Sequence, residues 1–256
     1  MQNHHHPTEL TPCVVVIGVG GIAGIGGATA LHCARQGLPV FVVGRTPAKL
    51  DALVSVMEQQ GAKAHSHACD LGDAAAIEAL FDAIEASGHV PELVVYNAAY
   101  LNMPRRFLNT SSEFLQGNWR VTALAGILSA QAAARRMLHQ RHGSIIVTGA
   151  SASMRGKPLF AAFASAKAAL RSFTAALAHE VAPHGIHVAH VVIDGMVKGD
   201  RAQQAFLGLG GVFSWLLKRD GRLDPADVAA TYWEIHAQPP GSWTHEIDLR
   251  PYKESF

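Results

Sequence analysis

Cysteine is scarce in this 256-residue chain: there are three, and no two form a Cys-x-x-Cys pair. Cys13, Cys33 and Cys69 therefore offer neither a disulfide framework nor a thiolate metal knuckle. Free thiols in a reducing cytoplasm are the expectation. An excess of charge of either sign is also missing. Lys and Arg number 21 against 20 Asp and Glu, a formal net charge of +1. Without a dense basic stripe, nucleic acid and anionic membrane are not expected as partners. No apolar run approaches the ~20 residues that span a bilayer. Met1 to Pro12 is polar and His-bearing, unlike a signal peptide, and residues 1–11 are read as a flexible segment. His65 and His67 lack a third ligand at useful spacing, and His184, His187 and His190 alternate across a strand. No metal is expected.

Hydrophobic residues make up 49 % of the chain, enough for a sizeable core. Short β-branched runs alternate with longer Ala/Leu-rich segments. Strands are predicted at Cys13–Val19, Val40–Gly44, Ala64–Ala68, Leu93–Asn97, Ser144–Thr148, Ile186–Ile193 and Trp243–Asp248. Helices are predicted at Ile25–Gln36, Pro47–Gln60, Asp73–Ser87, Ser111–His139, Phe160–Ala182 and Pro225–His236. Near-continuous Val/Ile strands between helices predict a parallel sheet covered on both faces. The expectation is one α/β domain over residues 12–256, doubly wound and Rossmann-type, with about seven strands. Residues 194–222 break the rhythm after the sixth strand. Their apolar, Gly-rich composition suits either a lid over the crevice or an amphipathic helix packed on the core.

Gly20-Gly-Ile-Ala-Gly24-Ile25-Gly26 directly follows the first strand and opens the first helix. In that context a Gly-rich turn is a dinucleotide-binding signal. Gly20 would permit the tight turn, Gly24 the approach of a phosphate, and Gly26 close packing of helix on strand. Orphan N–H groups and the helix dipole would face the pyrophosphate. The second strand ends Gly44-Arg45. An acid there would meet a ribose 2′-OH, whereas a neutral Gly44 followed by a guanidinium favours a 2′-phosphate. NADP(H) is therefore preferred over NAD(H), unless Arg45 is an ordinary surface residue.

Together with Phe163-Ala-Ser-Ala-Lys167, these features resemble the short-chain dehydrogenase/reductase family. The resemblance covers about Pro12 to Ile193. It implies that Lys167 binds the nicotinamide ribose and that Asn118 holds a water linked to it. It implies that Asp70 meets the adenine amino group, unless it merely caps the next helix, and that Asn97-Ala98-Ala99 lines the adenosine side. The family's general-acid tyrosine falls on Phe163 and its carbonyl-orienting serine on Ala150. The chain thus resembles an atypical branch with Phe in place of Tyr. Ser151 and Ser153 are the nearest substitute hydroxyls, with Tyr100 a remote one. Val19 stands for a threonine before the turn, and Asp194-Gly195 for Pro-Gly after the sixth strand.

Two functions follow from this pattern. The first is an NADP(H)-dependent oxidoreductase acting on a carbonyl or alcohol through a modified proton relay. The second is a non-catalytic NADP(H)-binding sensor or assembly partner. Arg105, Arg106, Arg155, Lys157 and Lys198 are expected in loops near the crevice mouth, where they are either scattered surface charge or cations that attract an acidic substrate. The resemblance also implies a homodimer or homotetramer through the two long helices, with Ala125, Ala132, Ala161, Ala168 and Ala176 allowing close approach.

Overall fold

The computed structural model describes residues 10–100, 104–198 and 222–252. Seven strands form one parallel sheet in the order β3-β2-β1-β4-β5-β6-β7. They are β1 Thr11–Ile17, β2 Val40–Gly44, β3 Ala64–Ala68, β4 His89–Tyr96, β5 Gly143–Thr148, β6 Ile186–Ile193 and β7 Glu246–Leu249. Every paired neighbour is parallel. The doubly wound Rossmann-type sheet expected from the apolar strands is the one observed.

Side chains alternate between the faces of β1. Val15 and Ile17 join one core cluster with Ile77, Leu80, Phe81 and Leu170. Val14 and Val16 join the other with Ala30, Leu50, Leu53 and Tyr232. The second face is covered by α1 Ile25–Ala34, α2 Pro47–Gln59 and α7 Pro225–His236. The first is covered by α3 Ala74–Ala86, α5 Ala125–Gln140 and α6 Ala161–Val181. Both faces of the central strands are dry, so β1 and β2 carry near-continuous apolar runs, whereas the edge strands β3 and β7 are largely exposed.

Two predicted boundaries move by more than two residues and one predicted helix is interrupted, each for a local reason. β4 begins at His89 rather than Leu93. Pro91 would normally break a strand, but a register shift between Cys13 and Val14 leaves Glu92 as the extra residue. β7 begins at Glu246 rather than Trp243, because Trp243 stacks on His187 at 4.9 Å and the Thr244 amide donates to Gln238 Oε1 at 2.7 Å. The long helix predicted over Ser111–His139 is interrupted. It comprises α4 Ser112–Asn118, a π-helical turn Trp119–Leu124, and then α5. Tyr96 Oη donates to the Val121 carbonyl, and the Tyr100 amide donates to Thr122 Oγ1 at 3.0 Å. Partners from outside the helix stabilise the widened turn.

Two of the alanines expected at a subunit contact, Ala125 and Ala132, are buried inside the chain, whereas Ala161, Ala168 and Ala176 are exposed. The segments predicted as a flexible N-terminus and as a lid lie largely outside the described residues, the latter from 199 to 221.

Candidate active site

A cleft of about 360 Å³ opens at the carboxyl ends of the central strands. It lies where the chain order reverses between β1 and β4, the switch point at which doubly wound sheets take ligands. Its lining includes Ile25 from α1, Asn97 and Ala99 after β4, Thr148 to Ala152 after β5, and Phe163 and Lys167 from α6.

The β1–α1 turn is set by close approach. At Gly18 φ is 96°, and a Cβ there would lie 2.3 Å from the Ala98 amide nitrogen. Only glycine combines that conformation with that contact. The other left-handed backbone in the turn falls on Gly21 and not on Gly20. A Cβ on Gly26 would meet Asn97 Nδ2 at 3.1 Å and the Gly18 carbonyl at 3.2 Å, which ties helix to sheet as the spacing predicts. A Cβ on Gly24 would meet nothing within 4 Å. Gly24 caps α1 without a side-chain hydrogen bond, and the first turn carries no acid. The orphan N–H groups there are available to an anion, so these residues fit a dinucleotide phosphate.

Gly44 has a steric reason of its own, since a Cβ there would lie 2.4 Å from the Val19 carbonyl oxygen. Arg45 is exposed and has no ion pair among the described residues. Asp70 Oδ1 accepts from the Gly72 amide at 2.9 Å. The cap of α3 is Asp73, which accepts from Ala75, so the capping role considered for Asp70 belongs three residues later. Gly20, Gly24, Arg45 and Asp70 lie outside the lining of the cleft itself.

On α6, Phe163 and Lys167 are one turn apart and share a face. Lys167 is buried, and its Nζ donates to the Thr148 carbonyl at 2.6 Å. The same Nζ lies 5.8 Å from the centre of the Phe163 ring. Phe163 also walls an adjoining hollow that holds Asn118 and Arg105. Asn118 Nδ2 donates to the Phe114 carbonyl at 3.3 Å. Its Oδ1 is buried with no hydrogen bond among the described residues.

The three substitute hydroxyls separate. Ser151 lines the cleft. Ser153 is buried and its Oγ accepts from the Ala150 amide at 3.1 Å, closing its own turn. Tyr100 packs on Gly117 and on the Phe114 ring, away from the cleft lining.

Three features were not legible in the sequence. Asp194 is a buried carboxylate that joins two arginines, Arg155 Nη2 at 3.1 Å and Arg250 Nη2 at 2.6 Å. Thr148 Oγ1 is hydrogen-bonded to Tyr232 Oη at 2.8 Å, where burial pushes the phenol pKa up. His190 Nδ1 lies 2.9 Å from Glu246 Oε2, and Arg171 grips the same carboxylate at 2.6 and 2.8 Å. Burial lowers the His190 pKa, so the ring is neutral at pH 7 and Nδ1 carries the proton that an acceptor-only carboxylate requires.

The comparisons with known proteins agree with this geometry. Residues 13–208 match the family model described as short chain dehydrogenase, and the chain belongs to that family. It is 32 % identical over 225 residues to the short-chain reductase protein NovJ of Streptomyces niveus, covering 85 % of this chain and 84 % of that one. The crystal structure of a short-chain dehydrogenase from Rhodopseudomonas palustris superposes with a TM-score of 0.79. It is 33 % identical and covers 94 % of this chain and 99 % of its own. A metagenomic short-chain oxidoreductase solved in complex with NADP shares the fold at a TM-score of 0.79. It is 24 % identical and covers 96 % of this chain and all of its own. Among the described residues, no helix is long and apolar enough to cross a membrane.

Proposed function

We propose that this chain is an NADP(H)-dependent oxidoreductase acting on a carbonyl or alcohol, in an atypical branch with Phe163 at the position of the general-acid tyrosine. The observation that carries the reading is the buried Lys167 ammonium at the cleft wall, one helical turn from Phe163. When bound, a nicotinamide cofactor supplies or accepts the hydride. Gly20, Gly24, Ile25 and Gly26 would hold its phosphates on the α1 N-terminus. Arg45 would pair with a 2′-phosphate, Asp70 would meet the adenine, and Asn97 and Ala98 would line the adenosine side.

Lys167 has three donors on Nζ. One is fixed on Thr148, and the group lines the cleft, where it would bind the nicotinamide ribose. The unsatisfied Oδ1 of Asn118 would take a water, completing a proton path to Lys167. Ser151 is the hydroxyl nearest in sequence to Ala150 that reaches the cleft, and it would orient the substrate oxygen. The three cysteines are buried, and burial raises Cys13 and Cys33 to about 12, which keeps both thiols inert. A reducing cytoplasmic setting is part of the same reading, because the three cysteines are free and unpaired. Pairing of two copies through α4, α5 and α6, with Ala161, Ala168 and Ala176 outermost, is part of the same reading.

A second reading rests on Phe163 itself. Phenylalanine has no proton to give, and a positioned general acid typically contributes ~10²–10⁴ in rate. A protein that keeps the cofactor site without that acid would be a nucleotide-binding sensor or assembly partner. A carbonyl panel followed by NADPH oxidation, run beside a direct NADPH titration, separates the two. Turnover of any carbonyl supports the oxidoreductase, whereas tight NADPH binding with no turnover selects the binding protein.

A further inference from the structure

The charge around the cleft is one-sided. Three cations line it, Arg155, Lys157 and Lys167, and no carboxylate does among the described residues. Asp194, between the lining residues Ile193 and Gly195, is buried and already shared by two arginines. That ion pair uses only one edge of Arg155. Both of its hydrogen bonds to Asp194, at 3.3 and 3.1 Å, come from Nη2. Nε and Nη1 make no hydrogen bond among the described residues, and the guanidinium remains partly exposed on the cleft wall. Lys157, two residues on, is exposed and has no ion pair among the described residues. Two aromatic residues, Phe160 and Phe163, line the same cleft. With Phe163 and Ala150 in the wall, Ser151 and Thr148 are its hydroxyl-bearing residues among the described ones, and the cations outnumber them.

We infer that the substrate of this site is an anion with an apolar body: a carboxylate or phosphate bound by Arg155 and Lys157, with its hydrocarbon part against Phe160 and Phe163. The guanidinium fork is held in place by Asp194, so little side-chain freedom is lost when its open edge meets a planar oxyanion. Arg155 is then the specificity-determining residue. Lys157 adds a point charge at the rim, and Asp194 is a positioning residue that acts through Arg155. The inference deepens the oxidoreductase reading by naming a substrate class, and it holds equally for a sensor that binds its ligand beside the cofactor.

The test is a calorimetric titration of the whole protein, with and without saturating NADPH. The probes are phenylacetate, its neutral isostere phenylacetamide, and phenyl phosphate. The expected result is that at least one anion binds ten-fold or more tightly than phenylacetamide, with NADPH present. The tighter anion tells carboxylate from phosphate. Arg155→Gln should weaken that anion at least ten-fold and leave phenylacetamide unchanged. Because Arg155→Gln also strips a partner from buried Asp194, Lys157→Gln serves as the second variant. This residue is exposed, and its loss should weaken the anion several-fold without altering the thermal midpoint. Equal binding of phenylacetate, phenyl phosphate and phenylacetamide, or an anion affinity indifferent to Lys157→Gln, overturns the inference. So does the absence of binding by every probe at millimolar concentration. The NADPH titration is separate. Its failure would sink the cofactor reading while leaving the preference for anions measurable.

Discussion

His190 fills the space that a side chain on Gly149 would need: a Cβ there would sit 2.3 Å from His190 Nε2. Gly149 lines the cleft and His190 lies buried behind it, fixed through Nδ1 to Glu246. His190 Nε2 has no partner among the described residues. Gly149→Ala should therefore cost about 1–3 kcal/mol through overpacking. Denaturant unfolding measures the loss, and the same change made in a His190→Ala background should cost much less. An equally stable Gly149→Ala single variant would show that the ring moves freely.

Acid should destabilise the fold in a defined window. Burial lowers the pKa values of His187, His190 and His236 below the ordinary 6.5. The unfolded chain then binds more protons than the native one between the lowered values and 6.5. Stability is present in full above pH 6.5 and is lost as pH falls through the folded-state values. Glu246 adds to this at lower pH, because the Arg171 and His190 contacts hold its carboxyl below 4.5. Urea midpoints measured from pH 7.5 to 5 should fall, and His190→Gln should flatten the slope. A midpoint constant over that range would contradict the assignment of neutral buried imidazoles.

NADPH should bind more tightly than NADH, because Arg45 offers a charge-assisted contact worth ~1.5–3 kcal/mol. Arg45→Ala should reduce the ratio of the two affinities. Gly44→Asp should not simply invert it. Its Cβ would press on the Val19 carbonyl, and the β1–α1 turn would shift. Both affinities and the thermal midpoint should drop together. Unchanged NADPH binding in Gly44→Asp would show that the turn has room.

Phe163→Tyr would place a phenol on the face of α6 that carries Lys167, where the ammonium would depress its pKa. Combined with Ala150→Ser, it should raise reductase activity toward activated carbonyls by at least about ten-fold, which is modest beside the 10²–10⁴ typical of a positioned acid. Slower turnover in Phe163→Tyr than in the wild type would show that this position serves substrate packing alone and would leave proton donation to another group.

In solution the protein should be a dimer or tetramer, which light scattering at micromolar concentration checks. A monomer would remove α4, α5 and α6 as a pairing surface.

The sequence by itself determined the sheet and the glycine-rich turn between β1 and α1. Both are written locally: apolar runs of strand length between Ala/Leu-rich helices, and glycines spaced across a strand-to-helix turn. The sequence also placed Phe163 and Lys167 on one helical face, because i and i+4 always share one. The tertiary structure decided what depends on distances between remote segments. It brought Asp194 between Arg155 and Arg250, 39 and 56 residues away along the chain. It turned Ser151 toward the cleft and Ser153 into its own loop, a choice made by backbone path and not by residue type. It opened a π-helical turn in what reads as one continuous helix, because Tyr96 on a neighbouring strand donates to Val121. Local periodicity carries no record of which residues from other elements will fill a given space. The charge and shape of the cleft therefore became readable only once the chain was folded.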